Sequence, residues 1–174
     1  AHLKSVGIDV VHDSPDVGGN LQDHLDVQVQ WQCTQPVTLN GTRSIFTQAA
    51  ALGKWLFAKT GPASYIPTPA GAFVSTREGL AAPFMPLVGA PHGREKMGPQ
   101  HGYQIHVCQV RPESRGSIRL ASNDPLAPPL IDANYLSAPE DVDTIVKGVE
   151  IARSIGASAA FAPSRGEEVW PGPA

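Results

Sequence analysis

Cysteine is scarce in this sequence. Cys33 and Cys108 are the only two, far apart and each inside a strand-like run. Two thiols make no disulfide framework, and neither belongs to a C-x-x-C pair that would hold zinc or run redox exchange. Both are read as buried reduced thiols, consistent with a reducing, cytoplasmic setting. Charge is also sparse, with 13 Lys and Arg against 16 Asp and Glu in 174 residues and a formal net charge of -3. The basic residues form no run, so nothing draws a phosphate backbone and nucleic acid is excluded as a partner. No stretch approaches the roughly 18 apolar residues of a membrane-crossing helix, so no membrane span is expected. Residues 1–11 have neither the basic nor the apolar segment of a secretory leader.

The motifs of common chemistries are missing as well. There is no G-x-G-x-x-G after a strand: Gly18-Gly19 has the wrong spacing and no helix follows closely. There is no phosphate-binding Walker loop and no G-x-S-x-G elbow. The six histidines are His2, His12, His24, His92, His101 and His106. None stands at H-x-H or H-x-x-x-H spacing, so no metal site is expected.

What the sequence does have is turn chemistry. Glycine and proline number 17 each, together roughly a fifth of the chain against about 12% in an average protein. Many turns and much irregular backbone follow. The length suits one domain with a real core.

Along the chain, Ala1–Val6 reads as the end of a helix, with Gly7 in the left-handed position after it. Ile8–Val11 reads as a short strand. Residues 14–20 are rich in turn formers. From Leu25 to Cys33 the sequence alternates, with Leu25, Val27, Val29, Trp31 and Cys33 on one face and Asp26, Gln28, Gln30 and Gln32 on the other. Period two predicts a half-buried strand. Arg43–Lys59 reads as a helix whose stripe is Ile45, Ala49, Leu52 and Leu56, flanked by Phe46, Gly53 and Phe57 and stopped by Thr60-Gly61-Pro62. Ala70–Thr76 reads as a short strand and Leu80–Gln100 as a long excursion. A hairpin is expected from Tyr103–Val110 to Ser117–Ala121 through Pro112–Gly116, where Ser114-Arg115-Gly116 makes a tight turn with Gly116 free to take positive φ. Arg115 there is placed to tie down a carboxylate or backbone carbonyls.

A helix follows from Ala138 to Ile155. Ser137 and Glu140 have the spacing of a capping box. Val142, Ile145, Val146, Val149 and Ala152 form its expected buried stripe, and Gly156 its C′ residue. Phe161–Ala174 shows no periodicity. The expected architecture is α+β, a mainly antiparallel sheet with helices on one face. Read this way alone, the residues stop at a soluble α+β domain.

Three stretches carry more. Leu3-Lys4-Ser5-Val6-Gly7-Ile8 through Asp16-Val17-Gly18-Gly19-Asn20-Leu21-Gln22-Asp23-His24, then Arg111–Pro125 around Ser114-Arg115-Gly116, and then Pro129–Leu136 around Asn134-Tyr135-Leu136 occur in that order. In sequence, order and spacing they resemble segments of the glucose–methanol–choline family of FAD-dependent oxidoreductases. The similarity covers nearly the whole chain.

The resemblance implies a substrate-binding portion of an enzyme that oxidises the CH–OH group of an alcohol and passes hydride to flavin. It implies FAD as cofactor of the full-length enzyme and a small alcohol as substrate. It also implies a flavin-binding domain of the same polypeptide as partner of this chain. Family members begin with an FAD fingerprint and end with a catalytic histidine in an H-P-x-G-T-C-x-M-G context, and neither occurs here. On that reading residues 1–24 are the junction with the flavin domain, 25–160 the substrate-binding domain, and 161–174 the lead into the catalytic segment. The chain alone is then expected to bind no FAD and to be inactive, and no catalytic residue is assigned, to His101 or His106 least of all.

Asn20 and Asp23 are the candidate flavin-side residues, with side chains that suit turn backbone. Tyr65, Phe73, Tyr103 and Ile105 are the candidate pocket walls, each also readable as ordinary core. Two departures stand out. Choline-oxidising relatives carry a glutamate in an E-A-G-G-F context, and here the run is Pro69-Ala70-Gly71-Ala72-Phe73, which argues for an uncharged primary or secondary alcohol rather than a quaternary ammonium. The family's alternating strand before the H-G-R region also has only the short Ala82-Pro83-Phe84-Met85-Pro86 to match it. The alternative reading is a stand-alone, non-catalytic domain of the same fold that binds a small ligand or a protein.

Overall fold

A computed structural model describes residues 2–42, 44–64, 70–76, 85–89 and 101–172. The chain forms two compact units: Ala1–Leu25 with Arg111–Thr144, and Asp26–Val110 with Ile145–Ala174. Its regular elements are α1 (His2–Ser5), β1 (Asp26–Cys33), α2 (Ile45–Ala58), β2 (Ala70–Gly71), β3 (Met85–Gly89), β4 (Gly102–Cys108), β5 (Ser117–Arg119), β6 (Leu130–Asp132), α3 (Pro139–Gly156) and β7 (Arg165–Trp170). Every described strand pairing is antiparallel. The α+β class read from the sequence is the observed one.

The second unit is built on a five-stranded sheet in the order β2-β3-β4-β1-β7. Opposite residues on β1 and β4 share a face. Val27 with Val107, Val29 with Ile105 and Trp31 with Tyr103 make the apolar side. Val29, Ile105 and Val107 are fully buried. Three rings continue this side: Trp31 stacks on Tyr103 with centroids 5.2 Å apart, and Tyr103 on Phe161 at 4.6 Å. The C-terminal half of α3 presses on the same face. A Cβ added at Gly156 would stand 2.6 Å from Trp31 Cζ2, so glycine ends the helix to let its backbone approach an indole, not to cap it at positive φ. Arg153 of α3 holds Glu168 of β7 through Nη2 at 2.7 Å, and this pairing keeps the guanidinium above its ordinary range.

Several expectations fall here. The tail is not aperiodic: it supplies β7, whose partner β1 lies far upstream in the sequence. The excursion Leu80–Gln100 contains β3, which pairs with both β2 and β4. A strand is therefore present where the family's has only a short counterpart in sequence. The other residues of that excursion lie outside the described ones. The expected strand at Ala70–Thr76 shrinks to β2.

Helix α2 agrees with its periodicity in position. Ser44 caps it by accepting from the Phe46 amide at 3.2 Å, and Lys59, at φ 55, closes it one residue before the expected stop. Its stripe is not a core stripe, because none of its residues is buried.

In the first unit, β5 and β6 form a two-stranded ribbon. The expected hairpin therefore does not exist: β4 pairs with β3 and β1, and β5 with β6. The reason lies in the link between them. Arg115 Nη1 donates to the carbonyls of Pro112, Glu113 and Ser114 at 2.8, 2.9 and 3.1 Å. The amides of Glu113 and Ser114 both donate to the Asp141 carboxylate at 2.8 Å. Gly116 exchanges two backbone bonds with Leu21. With its polar groups so engaged, the link cannot continue a ladder. Gly116 is needed for close approach, not for positive φ: a Cβ would lie 2.1 Å from the Asp132 carbonyl oxygen.

Ile8–Val11 is not a strand. Gly7 does take φ 78 after α1, as read. The start of α3 differs too. Its first residue is Pro139, so Ala138 holds the cap position and Ser137 lies outside, exposed. The capping oxygen comes from elsewhere: Ser114 Oγ accepts from the Ala138 amide at 3.1 Å. Val142 and Val146 are exposed at 39% and 54%, and the buried line instead runs Asp141, Ile145, Gly148, Ala152, Gly156.

Candidate functional site

The side of the β1–β4 pair opposite the ring stack is polar, and it is organised. Register places Gln28 opposite His106 and Gln30 opposite Gln104. Gln28 Nε2 donates to Asp26 Oδ2 at 3.3 Å. Gln30 Nε2 donates to Gln28 Oε1 and to Gln104 Oε1, each at 2.9 Å. Gln104 Nε2 lies 2.7 Å from His106 Nε2, and His106 Nδ1 lies 2.7 Å from Asp26 Oδ2. The five side chains form a closed circuit.

The circuit has a direction. An amide nitrogen can only donate, so His106 Nε2 accepts and the ring proton sits on Nδ1, pointed at the carboxylate. Both imidazole nitrogens are thus engaged, and His106 offers no free lone pair to a reacting group. Gln30 and Gln104 are buried at 2% and 4% exposure, which is tolerable because every amide finds a partner. The accessible edge is Asp26, whose side chain keeps 39% of its exposure. The arrangement is a fixed wall of donors and acceptors.

Asn20 adopts φ 55 and donates from Nδ2 to Asp16 Oδ1 at 3.3 Å. Asp23 Oδ1 accepts from the His24 amide at 2.9 Å, and Oδ2 accepts from the Tyr135 hydroxyl. The Tyr135 bond, then the His24 amide, hold the Asp23 carboxyl below the usual carboxylate range, and the same carboxylate pushes the Tyr135 phenol up. Both candidate flavin-side residues therefore bond within their own unit. Among the described residues no helix starts behind a glycine-rich turn to receive a pyrophosphate.

Tyr103 lies between Trp31 and Phe161 on the apolar face, and Ile105 is fully buried on the same face opposite Val29. Burial pushes the Tyr103 phenol up to about 12. Burial likewise raises the Cys33 thiol. Phe73 is 63% exposed. Tyr65 and Pro69 lie outside the described residues. His101 Nδ1 accepts from the Thr38 amide at 3.3 Å and lies 2.9 Å from Thr38 Oγ1, a loop-fixing role. Among the described residues no three His, Cys, Asp or Glu gather to hold a metal. Cys33 and Cys108 form no disulfide with each other.

The polar circuit escaped the sequence reading, which placed Asp26, Gln28, Gln30 and Gln32 on the polar face of a half-buried strand and went no further. The available signal was their chemistry. An outward face usually carries charge, whereas three neutral amides alternating on one strand suit a covered face that must satisfy itself internally.

Comparison with known proteins agrees with the motifs. A family model described as GMC oxidoreductase matches residues 112–174. An oxygen-dependent choline dehydrogenase of Brucella ovis is 41% identical over 177 aligned residues, which is 99% of this chain and 32% of the relative. That of Acinetobacter baumannii is 39% identical over 175, covering 98% and 32%. The chain thus spans about a third of the length of the curated relatives it matches. Among solved structures, pyridoxine 4-oxidase from Mesorbium loti superposes with a TM-score of 0.75 at 23% identity, over 99% of this chain and 31% of that one. An Aspergillus oryzae formate oxidase variant gives 0.83 at 19%, over 99% and 36%. At those identities the likeness speaks for the fold.

Proposed function

Because this chain belongs to the glucose–methanol–choline oxidoreductase family, we propose that it is the substrate-side portion of an FAD-dependent enzyme that oxidises the CH–OH group of an alcohol. The observation that carries this reading is the 41% identity to choline dehydrogenases along 99% of the chain. Bound flavin would supply the hydride acceptor. This chain would supply the wall that faces it. Its apolar side is closed by α3 and the ring stack, which leaves the Asp26–Gln28–Gln30–Gln104–His106 side as the face turned toward ligand. Tyr65 and the exposed Phe73 are the pocket-wall candidates, while Tyr103 and Ile105 back the wall from behind. Asn20 and Asp23 would act through loop shape, fixing the course of residues 16–24 beside the flavin-bearing part. Without that part the chain would be colourless and inactive.

An uncharged primary or secondary alcohol is the proposed substrate, because Pro69 stands where a glutamate would offset a quaternary ammonium. The names of the relatives favour a second reading, choline, which would require another carboxylate in the pocket. Expressing the native open reading frame that contains this chain tests both. The expected outcome is a yellow protein whose flavin bleaches anaerobically on addition of an aliphatic or aromatic alcohol, with kcat/KM above that for choline. A higher kcat/KM for choline would select the second reading, and a protein free of flavin would remove both.

A further inference from the structure

The side-chain circuit on the polar face of β1 and β4 leaves two hydrogen-bonding positions open, and the two are adjacent. Asp26 accepts both of its bonds on Oδ2, from Gln28 Nε2 at 3.3 Å and from His106 Nδ1 at 2.7 Å. Among the described residues nothing donates to its Oδ1. Gln28 Nε2 carries two hydrogens and gives one to Asp26, and the other meets no acceptor among the described residues. Oδ1 and Oδ2 belong to one carboxylate, and Oδ2 stands 3.3 Å from that nitrogen, so one small group can reach the open acceptor and the open donor together. Neither can change its sense. Gln28 Oε1 accepts from the buried Gln30 at 2.9 Å while Nε2 donates to the carboxylate. Turning the Gln28 amide over would set nitrogen against nitrogen and oxygen against oxygen. Gln30 is held in turn by Gln104, and Gln104 by His106. Asp26 is exposed and Gln28 half-buried, so the buried part of the circuit fixes a donor–acceptor pair that its outer corner displays.

We propose that the Asp26–Gln28 corner binds a second hydroxyl of the substrate, so that the alcohol this site selects is a diol or polyol. The inference rests on the reading above, in which this face is turned toward ligand. A hydroxyl donates and accepts at once: its O–H donates to Asp26 Oδ1 and its oxygen accepts from Gln28 Nε2. The bond to the carboxylate is of the stronger, charge-assisted kind. A quaternary ammonium completes neither position, since it has no N–H for Oδ1 and no lone pair for the Gln28 hydrogen. A primary ammonium satisfies Oδ1 but sets its own donors against the Gln28 donor. A simple aliphatic alcohol uses its one hydroxyl in the reaction and leaves both positions unpaired beside carbon. A site with fixed polar partners discriminates against an analogue that lacks the matching hydroxyl, because those partners then lose water and gain nothing.

The test uses the native gene product that contains this chain and matched alcohols: ethanol against ethylene glycol, and propanol against glycerol. In each pair the polyhydric member is expected to have the higher kcat/KM, by about tenfold or more. Asp26→Asn and Gln28→Met are each expected to bring the pair to near parity, with circular dichroism and the melting temperature showing that each variant folds. Calorimetry supplies a readout without turnover. Pinacol has no hydrogen on its carbinol carbons and cannot be oxidised there. It is expected to bind more tightly than the matched alcohol that lacks one of its hydroxyls, and Asp26→Asn to remove the difference. Flavin reduction by ethanol and propanol with no advantage for the polyhydric partners overturns this proposal and leaves the alcohol oxidoreductase reading standing. If no alcohol reduces the protein, that reading falls, and equal or absent binding of the pinacol pair takes the corner with it. A higher kcat/KM for choline or ethanolamine than for the polyhydric alcohols overturns the proposal by assigning the corner to a cation. An advantage that persists in both folded variants overturns it by placing the second hydroxyl elsewhere.

Discussion

The Ser114 amide donates to Asp141 Oδ2 at 2.8 Å, and the Ser114 hydroxyl donates to the same oxygen. The adjacent Glu113 amide donates to Oδ1 at 2.8 Å. Asp141 is 1% exposed, and Ser114 Oγ in turn accepts from the Ala138 amide. A carboxylate in the first turn of α3 therefore organises a loop nearly thirty residues upstream, and the loop caps the helix in return. Its location near the helix N-terminus also favours its negative charge.

Removing that carboxylate strands two backbone amides and a hydroxyl away from water. Asp141→Ala is expected to destabilise the protein by about 3 kcal/mol. Asp141→Asn, which keeps an acceptor, should lose less. Urea unfolding of the three proteins checks the order. Equal stability of Asp141→Ala and the parent would show that the loop holds itself.

The same geometry separates two serines that the sequence does not. Ser114→Ala is expected to lower stability by about 1–2 kcal/mol, because the Ala138 amide and Asp141 each lose a partner. Ser137→Ala is expected to change it by less than about 0.5 kcal/mol, as befits an exposed residue outside the cap. Thermal melts of the two variants compare them directly. The reverse order would restore Ser137 as the cap.

How much was legible in the sequence follows the range of each interaction. Strand β1 and helices α2 and α3 announce themselves locally, by period two or by period 3.6. Strand β7 does not. Arg165-Gly166-Glu167-Glu168-Val169-Trp170 carries three charges and a glycine, and it becomes a strand because β1 offers it an edge from more than a hundred residues upstream. The capping of α3 misled for the same reason: Ser137 satisfies a local rule, but the oxygen used belongs to Ser114. Of the site, Asp23 was singled out, yet its partner Tyr135 could not be paired with it from sequence. The Gln28–Gln30–Gln104–His106 circuit needed the β1–β4 register, which no local pattern fixes. Motif likeness reached the family where periodicity reached only the fold class.

The Asp23–Tyr135 pair predicts a stability profile with two shoulders. Asp23 has a folded pKa below its ordinary 3.8, so the stability it contributes is present above that value and is lost as pH falls through the folded pKa. Tyr135 has a folded pKa above its ordinary 10.0. The protonated phenol is favoured in the fold, and that contribution is present below 10 and lost as pH rises through the folded pKa. Tyr135→Phe is expected to flatten both shoulders together. Stability measured by denaturant across the acid and alkaline ranges checks this, and an unchanged acid limb in the variant would break the link between the two residues.

The last prediction concerns the buried hydroxyl of Tyr103. Tyr103 is 7% exposed, its ring lies between Trp31 and Phe161, and its buried oxygen has no hydrogen-bond partner among the described residues. A buried polar atom left unpaired carries a desolvation penalty that the ring's packing must offset. Tyr103→Phe keeps both stacking contacts and deletes that penalty, so it is expected to raise stability by about 1 kcal/mol. The same burial pushes the phenol up to about 12. In an alkaline titration followed by ultraviolet absorbance, Tyr103 should therefore ionise at about 12, and that step should vanish in the variant while the raised step of Tyr135 remains. If Tyr103→Phe destabilises the protein instead, the hydroxyl has a partner, and Tyr103 returns to the residues that a ligand or a water could reach.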